Sequence, residues 1–303
     1  MARVQRKRMS KTIRLGTRGS ALALAQAHIV KTALEKKDPE ILIEICPIKT
    51  EGDQDQKSTL SEIGGKGVFI KAIEHALSQG AVDIAVHSLK DVTTHLESTL
   101  CLAGFLKAES NADAIVGGTL KSLPKNSVVG TSSLRRRALL KLQRPDLNFV
   151  DIRGNVETRI NKIKPGSIDA VILSEAGLIR LNLIHHIQER LSPEMFYPAP
   201  GQGVITLETR KDDAINIWRC QAISSPEQTF IAETEFALLQ ALGFDCRIPL
   251  GVYSTQNQMT IFISDLTLTK HITHTIDISS ETRWQSLEKA VQVCKKFLAD
   301  TSH

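Results

Sequence analysis

Two short strings carry most of the chemistry this chain offers. In Gly130-Thr131-Ser132-Ser133-Leu134-Arg135-Arg136-Arg137, an apolar segment meets Thr and Ser, which cap helices, and then arginines. The free amides and positive dipole end of such a helix favour an anion. Arg135 and Arg136 would add forked bonds to a carboxylate or phosphate. Asp151-Ile152-Arg153-Gly154-Asn155 repeats the arrangement, with Arg159 one to two turns into the next helix. One such site is ordinary, and a well-capped helix with a solvated basic turn is its plain alternative. Two of them point to a ligand with several negative groups.

His87-Ser88-Leu89-Lys90-Asp91 sets polar donors and one carboxylate just past an apolar strand, where open α/β sheets bind ligands. Asp91 also suits a helix cap. Gly64-Gly65-Lys66-Gly67 resembles a phosphate loop but lacks the Walker A spacing. Cys246 stands in Gly243-Phe244-Asp245-Cys246-Arg247-Ile248-Pro249, a loop before a strand; a buried inert thiol is the commoner fate of a lone cysteine. No His-Glu-x-x-His or Cys-x-x-Cys occurs, and His271 with His274 is thin support for a metal, so metal catalysis is not expected.

These strings need elements to hold them. Thr12–Gly16 reads as a strand, followed by a helix over 21–36 with Ser20 as its N-cap. Strands at 41–48 and 83–87, with a helix over 68–78 between them, complete a β-α-β-α-β unit with a largely parallel sheet. A second unit follows. Its strands fall at 114–117, 128–130, 148–152 and 169–173, with helices from Thr131-Ser132-Ser133 to Leu142 and over 155–164. No internal sequence repeat links the two. Pro198-Ala199-Pro200-Gly201-Gln202-Gly203 is a connector, and a strand at 204–208 would return to the first sheet. From Ser225 the pattern changes to a helix over 228–242, three strands and a terminal helix over 283–298, a small α+β unit.

The chain has 303 residues, 38 Lys+Arg against 33 Asp+Glu, and 42% hydrophobic residues. That length fits two or three domains. Aromatics are only 4%, which argues against base-stacking recognition of single strands. The arginines are clustered beside Gly, Ser and Thr rather than spread over a basic face, so discrete carboxylates or phosphates suit them better than nucleic acid. No apolar run approaches bilayer length. Five scattered cysteines fit a reducing compartment, and 1–11 reads as a basic tail rather than a secretory signal. A cytoplasmic protein is expected.

Taken in order, these strings resemble the porphobilinogen deaminase (hydroxymethylbilane synthase) family over residues 12 to about 255. Arg14-Leu15-Gly16-Thr17-Arg18-Gly19-Ser20, Gly64–Gly67, His87–Asp91, Gly130–Arg136, Arg153-Gly154-Asn155 with Thr158-Arg159, Pro198–Gly203 and Cys246 before Pro249-Leu250-Gly251 carry the likeness. It implies two α/β domains resembling periplasmic binding proteins around a cleft, plus a small C-terminal α+β domain. The boundaries expected are 12–107 with 204–222, 108–199, and 225–303.

The resemblance also implies a transferase of haem and tetrapyrrole biosynthesis. It would condense four porphobilinogens, with loss of ammonia, onto a dipyrromethane primer held by a thioether to Cys246, then hydrolyse off hydroxymethylbilane. Asp91 would be catalytic, steadying the cation left when ammonia departs. Ser88, Lys90, Thr131, Ser132, Ser133, Arg135, Arg136 and Arg153 would bind the cofactor. Arg18, Ser20, Arg153, Arg159 and Gln202 would bind substrate, and Lys66 and Phe69 would sit on a mobile loop. A monomer is expected, working on a small-molecule substrate without nucleic acid or membrane, and handing its product to the next enzyme of tetrapyrrole synthesis.

The chain departs from that pattern at Glu51, Thr93, Glu157, Glu175, Phe244 and Asp245. Glu51, Glu157 and Glu175 would add acids near the path of a polyanion. A non-catalytic two-domain anion binder would use the same arginines without needing Asp91 and Cys246 together. A nucleic-acid binder would need a continuous basic face.

Overall fold

The computed structural model describes residues 12–49, 67–164, 166–243 and 248–301, with the side chains of 67–69 excepted. Strand β1 (Thr12–Arg18) leads into helix α1 (Ala21–Lys37), whose first turn is capped by Ser20 Oγ accepting from Ala23 N. Then follow β2 (Leu42–Ile48), α2 (Gly67–Ser78) and β3 (Ile84–Ser88), with a single 3-10 turn at Leu89–Asp91. β4 (Leu100–Phe105) ends this stretch.

The chain crosses into a second unit as β5 (Asp113–Val116), followed by β6 (Val128–Gly130) and α3 (Leu134–Gln143). β7 (Asn148–Val150), α4 (Val156–Ile160), β8 (Ala170–Ser174), α5 (Glu175–Arg180) and β9 (Glu189–Leu191) complete it. The chain then returns as β10 (Ile205–Arg210) and α6 (Ala214–Ala222).

The two five-stranded sheets run β2-β1-β3-β10-β4 and β7-β6-β8-β5-β9. In each, one strand, β1 or β6, lies between two parallel neighbours, and the strand that crossed over from the other unit, β10 or β5, is inserted antiparallel. The sheets are therefore mixed, not largely parallel, because a crossing strand enters from the opposite direction. The repeat that the sequence does not display is present in the topology.

Burial explains the layers. On one face of the first sheet, Ile13 and Leu15 of β1 and Ile84 and Val86 of β3 pack against Val30 and Leu34 of α1. On the other, Ala85 meets Ile73 and Leu77 of α2. Each such side chain contributes about 1.5–3 kcal/mol when withdrawn from water. The second sheet is covered in the same way, by Leu139 and Leu140 of α3 on Ile172 and by Leu178 of α5 on Val171 and Leu173.

One helix is shorter than the sequence suggests. Asn155 Oδ1 caps α4 by accepting from Thr158 N, but the helix ends at Ile160 rather than Lys164. Its end tightens through Lys162 N to Arg159 O and Ile163 N to Ile160 O, consistent with the approach of Pro165, which disfavours a helical residue before it.

The remaining unit begins with α7 (Pro226–Leu242), capped by Ser225, followed by β11 (Leu250–Ser254), β12 (Gln258–Ser264), β13 (His271–Asp277) and α8 (Arg283–Thr301). β11-β12-β13 is antiparallel, and its core of Val252, Ile261 and Ile263 lies against Leu238 of α7 and Leu287 of α8. Among the described residues no helix is long and apolar enough to cross a membrane.

The two crossings touch. Gly203 has φ +85, and a Cβ on it would lie 2.0 Å from Ser110 O, so only glycine fits. Arg180 ties the same place together by bonding Glu109 Oε2 and Gly203 O.

Candidate active site between the two α/β units

At the carboxyl ends of β1 and β3, Arg18, Ser20, Gln26, His87, Ser88 and Asp91 line one pocket. Strand direction explains the grouping, because Arg18 ends β1, Ser20 caps α1, and Ser88 ends β3 before the turn that holds Lys90 and Asp91. Gln26 Nε2 donates to Ser88 Oγ at 2.7 Å, fixing the serine from the α1 side. Thr93 lies just beyond, its Oγ1 bonded to His95 O.

The second unit presents the end of β6. Thr131 is buried, and its Oγ1 accepts from Ser133 N. Ser132 Oγ donates to Ile152 O and accepts from Ile152 N, stitching the turn after β6 to the turn after β7. Ser133 caps α3 by accepting from Arg136 N. These hydroxyls hold the backbone of both turns; the Ser133 cap is legible in the sequence, but the Ser132 tie to Ile152 is not.

The arginines are more constrained than an exposed basic turn. Arg135 and Arg136 are both buried, and both engage Asp113, which has no exposed surface. Arg135 Nη1 lies 2.8 Å from Asp113 Oδ2 and also donates to Tyr197 O. Arg136 gives a forked pair to Asp113 Oδ1 and a third bond to Ile172 O. Gln202 Nε2 joins them, donating to Asp113 Oδ1 at 3.0 Å and to Asn111 O. Burial opposes ionisation of Asp113, but Arg135 and Arg136 overcome it and hold the carboxyl well below the usual carboxylate range. One carboxylate therefore serves two guanidiniums, and a unit of positive charge is left for a ligand. Arg137 is spent elsewhere, on Thr131 O and Asp151.

The charges of the two units act on each other. Lys90 is pulled down to about 8 by burial first, with Arg136 and Arg135 adding to this and Asp91 and Asp113 opposing it. Arg159 is lowered by burial and by Arg136 and Arg153, while Asp91 pulls it the other way; its Nε donates to Gly154 O. Thus Asp91 and Lys90 of the first unit share one electrostatic region with Arg135, Arg136, Arg153 and Arg159 of the second. A buried lysine that gives up its charge this readily beside arginines suits carboxylates as neighbours.

Several expected residues fall outside this picture. Lys66, Cys246, Glu51, Phe244 and Asp245 lie outside the described residues, and Phe69 is placed only as backbone in α2. Of the acids expected on a polyanion's path, Glu175 is tied to Ser110 Oγ and to Arg190 at 2.8 Å. Glu157 is exposed in the first turn of α4, where the helix dipole favours it. Sequence reading missed Asp113 and Gln26. Asp113 had one signal, a lone acid opening an apolar strand, and it meets its arginines only across the sheet.

A double-crossed pair of α/β units whose facing strand ends set one carboxylate against a cluster of cations defines a two-lobed, polyanion-handling enzyme. The family model for the "Porphobilinogen deaminase, dipyromethane cofactor binding domain" matches residues 13–217. The porphobilinogen deaminase of Ruthia magnifica subsp. Calyptogena magnifica is 40% identical over 261 residues, 85% of this chain and 86% of that protein. That of Syntrophomonas wolfei is 43% identical over 244 residues, 80% of each. Among solved structures, the Bordetella pertussis BvgS periplasmic VFT2 domain gives a TM-score of 0.43 at 16% identity, over 75% of this chain and 93% of that one. The chain belongs to the porphobilinogen deaminase family. It is a transferase of tetrapyrrole synthesis, with a dipyrromethane cofactor and porphobilinogen as substrate.

Proposed function

We propose that this chain performs the hydroxymethylbilane synthase reaction in the cleft between its two α/β units, with Asp91 as the catalytic group. The observation that carries the reading is the opposition of Asp91 to the cation cluster. Substrate and primer each bring carboxylates, and the reaction develops positive charge when ammonia leaves. The cleft offers cations for the first and a carboxylate for the second. A preorganised group of this kind is typically worth about 10²–10³ in rate.

In this reading Arg135, Arg136, Arg153, Lys90, Ser88, Thr131, Ser132 and Ser133 hold the cofactor, the hydroxyls chiefly by shaping the turns. Arg18, Ser20, Arg159 and Gln202 hold substrate, with Gln202 acting through Asp113 and the crossing segment. The dipyrromethane, when attached, supplies the nucleophilic pyrrole on which the chain is built. Cys246 is the attachment point, its sequence neighbour Arg247 favouring the thiolate and Asp245 opposing it. Phe69 stands in the first turn of α2 rather than on a loop, and Lys66 lies outside the described residues. The domain limits are 12–107 with 204–222, 108–199 and 225–303, a reading that the separate sheets support, with a cytoplasmic monomer passing its product to the next enzyme.

Intact-mass measurement tests this directly. Protein made in a haem-competent cell should carry two pyrrole units, absent in Cys246→Ala and retained after alanine at Cys46, Cys101, Cys220 or Cys294. An unmodified wild-type chain would leave the non-catalytic anion binder as the better description.

A further inference from the structure

The α2 face of the first sheet carries a second titratable cluster, directly behind the pocket wall. Glu208 of β10 pairs with Ala85 of β3, and Thr206 pairs with His87. Side chains two residues apart on a strand share a face, so His87 and Glu208 point the same way. His87 Nε2 lies 3.1 Å from Glu208 Oε2, with side chains 4% and 1% exposed. Glu74 of α2, the helix that packs on β3 and β10, is itself 4% exposed and feels the charges of Glu208 and His87. Glu74 and Glu208 each keep one buried oxygen, Oε1, with no hydrogen-bond partner among the described residues. Two carboxyls and an imidazole thus share one dry space, which a carboxylate tolerates poorly.

This cluster is not sealed from the site. His87 lines the same pocket as Arg18, Ser88 and Asp91, and so does Ile70, one turn before Glu74 on α2. β1 pairs with β3 at Gly16 and Ala85; two residues further along the same face, Arg18 comes alongside His87. Neither His87, Glu74 nor Glu208 has a part in the proposed chemistry above.

We propose that Glu74, His87 and Glu208 form a buried positioning unit beneath the substrate pocket, whose net charge sets the field felt at Asp91 and Arg18 during condensation. Loss of the Glu74 proton adds one negative charge to the unit. Burial first, and then the charges of Glu208 and Glu97, push Glu74 up to about 7, while His87 and Lys71 oppose this. The other charged groups facing the cluster are committed. Arg14 of β1 is held by Asp83, and Arg210 of β10 by Asp213 and the carbonyls of Leu77 and Val82. Arg18 and Asp91 share their pocket with His87, so a charge added beneath His87 should act on them. A negative charge under the pocket favours the cation formed when ammonia leaves, and it weakens the hold of Arg18 on substrate carboxylates. Both kcat and KM rise as Glu74 ionises.

The inference rests on Asp91 marking the reacting pocket, and its test separates the two ideas. With primer attached, the wild-type enzyme should show kcat and KM rising together through about pH 7. Glu74→Gln should hold both at their low-pH values across the range, and Glu74→Asp should restore a displaced limb. A wild-type limb that survives in Glu74→Gln, or a kcat lowered by one constant factor at every pH, would overturn the proposal. A carboxyl NMR titration in the wild type and in Asp91→Asn tests it without altering the cluster. Removing the Asp91 charge should lower the Glu74 titration point, and by reciprocity that shift is the coupling. An unmoved Glu74 also overturns the proposal, whereas a shifted Glu74 with undiminished turnover in Asp91→Asn refutes only the assignment of Asp91.

Discussion

The two α/β units share one topology but hold their charge in opposite ways. Behind the strand ends of the second, cations outnumber the acid that organises them, with Arg135 and Arg136 on the single carboxylate of Asp113. Behind those of the first, acids outnumber bases, with Glu74 and Glu208 around His87. A cleft between identical charge patterns would suit either a polyanion or a cation. This one suits a polyanionic substrate that becomes cationic at one atom. The fold supplies two platforms, and the division of labour comes from a handful of buried ionisable groups.

The largest effect expected from breaking that contrast is on stability. Asp113→Asn leaves two buried guanidiniums without their countercharge, and loss of one partner from such a network costs about 3–5 kcal/mol, readable from a urea midpoint. The sign with pH follows from the depressed carboxyl. The stabilisation is full above the ordinary carboxylate range and is lost as pH falls below it, so the variant should show a weaker acid limb than the wild type. Equal midpoints would mean that the second unit does not depend on its acid.

Next comes Asp91→Asn, which removes the acid that faces the cations and keeps the shape. Turnover should fall about 100-fold or more, some 2.7 kcal/mol, while folding and primer attachment survive. Asp91→Glu should keep more activity than the amide. Single-turnover ammonia release checks this, and near-parental rates in Asp91→Asn would remove the carboxylate from the chemistry. Arg18→Gln should chiefly raise KM, by roughly tenfold or more for one charge-assisted bond of about 1.5–3 kcal/mol. A change confined to kcat would contradict its place in substrate capture.

The smallest effect is a proton. Because Lys90 lies near 8, carboxylates arriving beside it should raise its pKa. Docking of the primer should then take up protons around pH 8 to 9 and hardly any at pH 6. Calorimetry of dipyrromethane binding to primer-free protein, in buffers of different ionisation enthalpy, measures that uptake, and none at pH 8.5 would count against contact between Lys90 and the primer's carboxylates.

What the sequence made legible was local. The strands and capped helices around Ser20 and Ser133 stand where periodicity and capping put them, because those signals lie within a few residues, whereas the helix expected over 228–242 starts two residues earlier, on a Ser225 cap that was not read. The returning strand at Ile205–Arg210 was readable from its apolar run and the connector before it. β4, β9, α5 and α6 were not read. The site divides likewise. Gly130–Arg136 and His87–Asp91 announce anion chemistry in their own spelling, but the carboxylate that orients Arg136 is 23 residues away and the partner of His87 is 121 away. Pairings across a sheet leave no spacing to find.

The contact of Gly203 with Ser110 O has a mechanical consequence. Were the two lobes joined by one strand, they would be free to swivel about any axis through it. Two connections in backbone contact, pinned by Arg180, act as a flat spring: easy to bend about one line, stiff to twist or shear. An enzyme that lengthens its product in place needs its carboxylate and its arginines to separate and return along one path, and a side chain at residue 203 would force those ribbons apart.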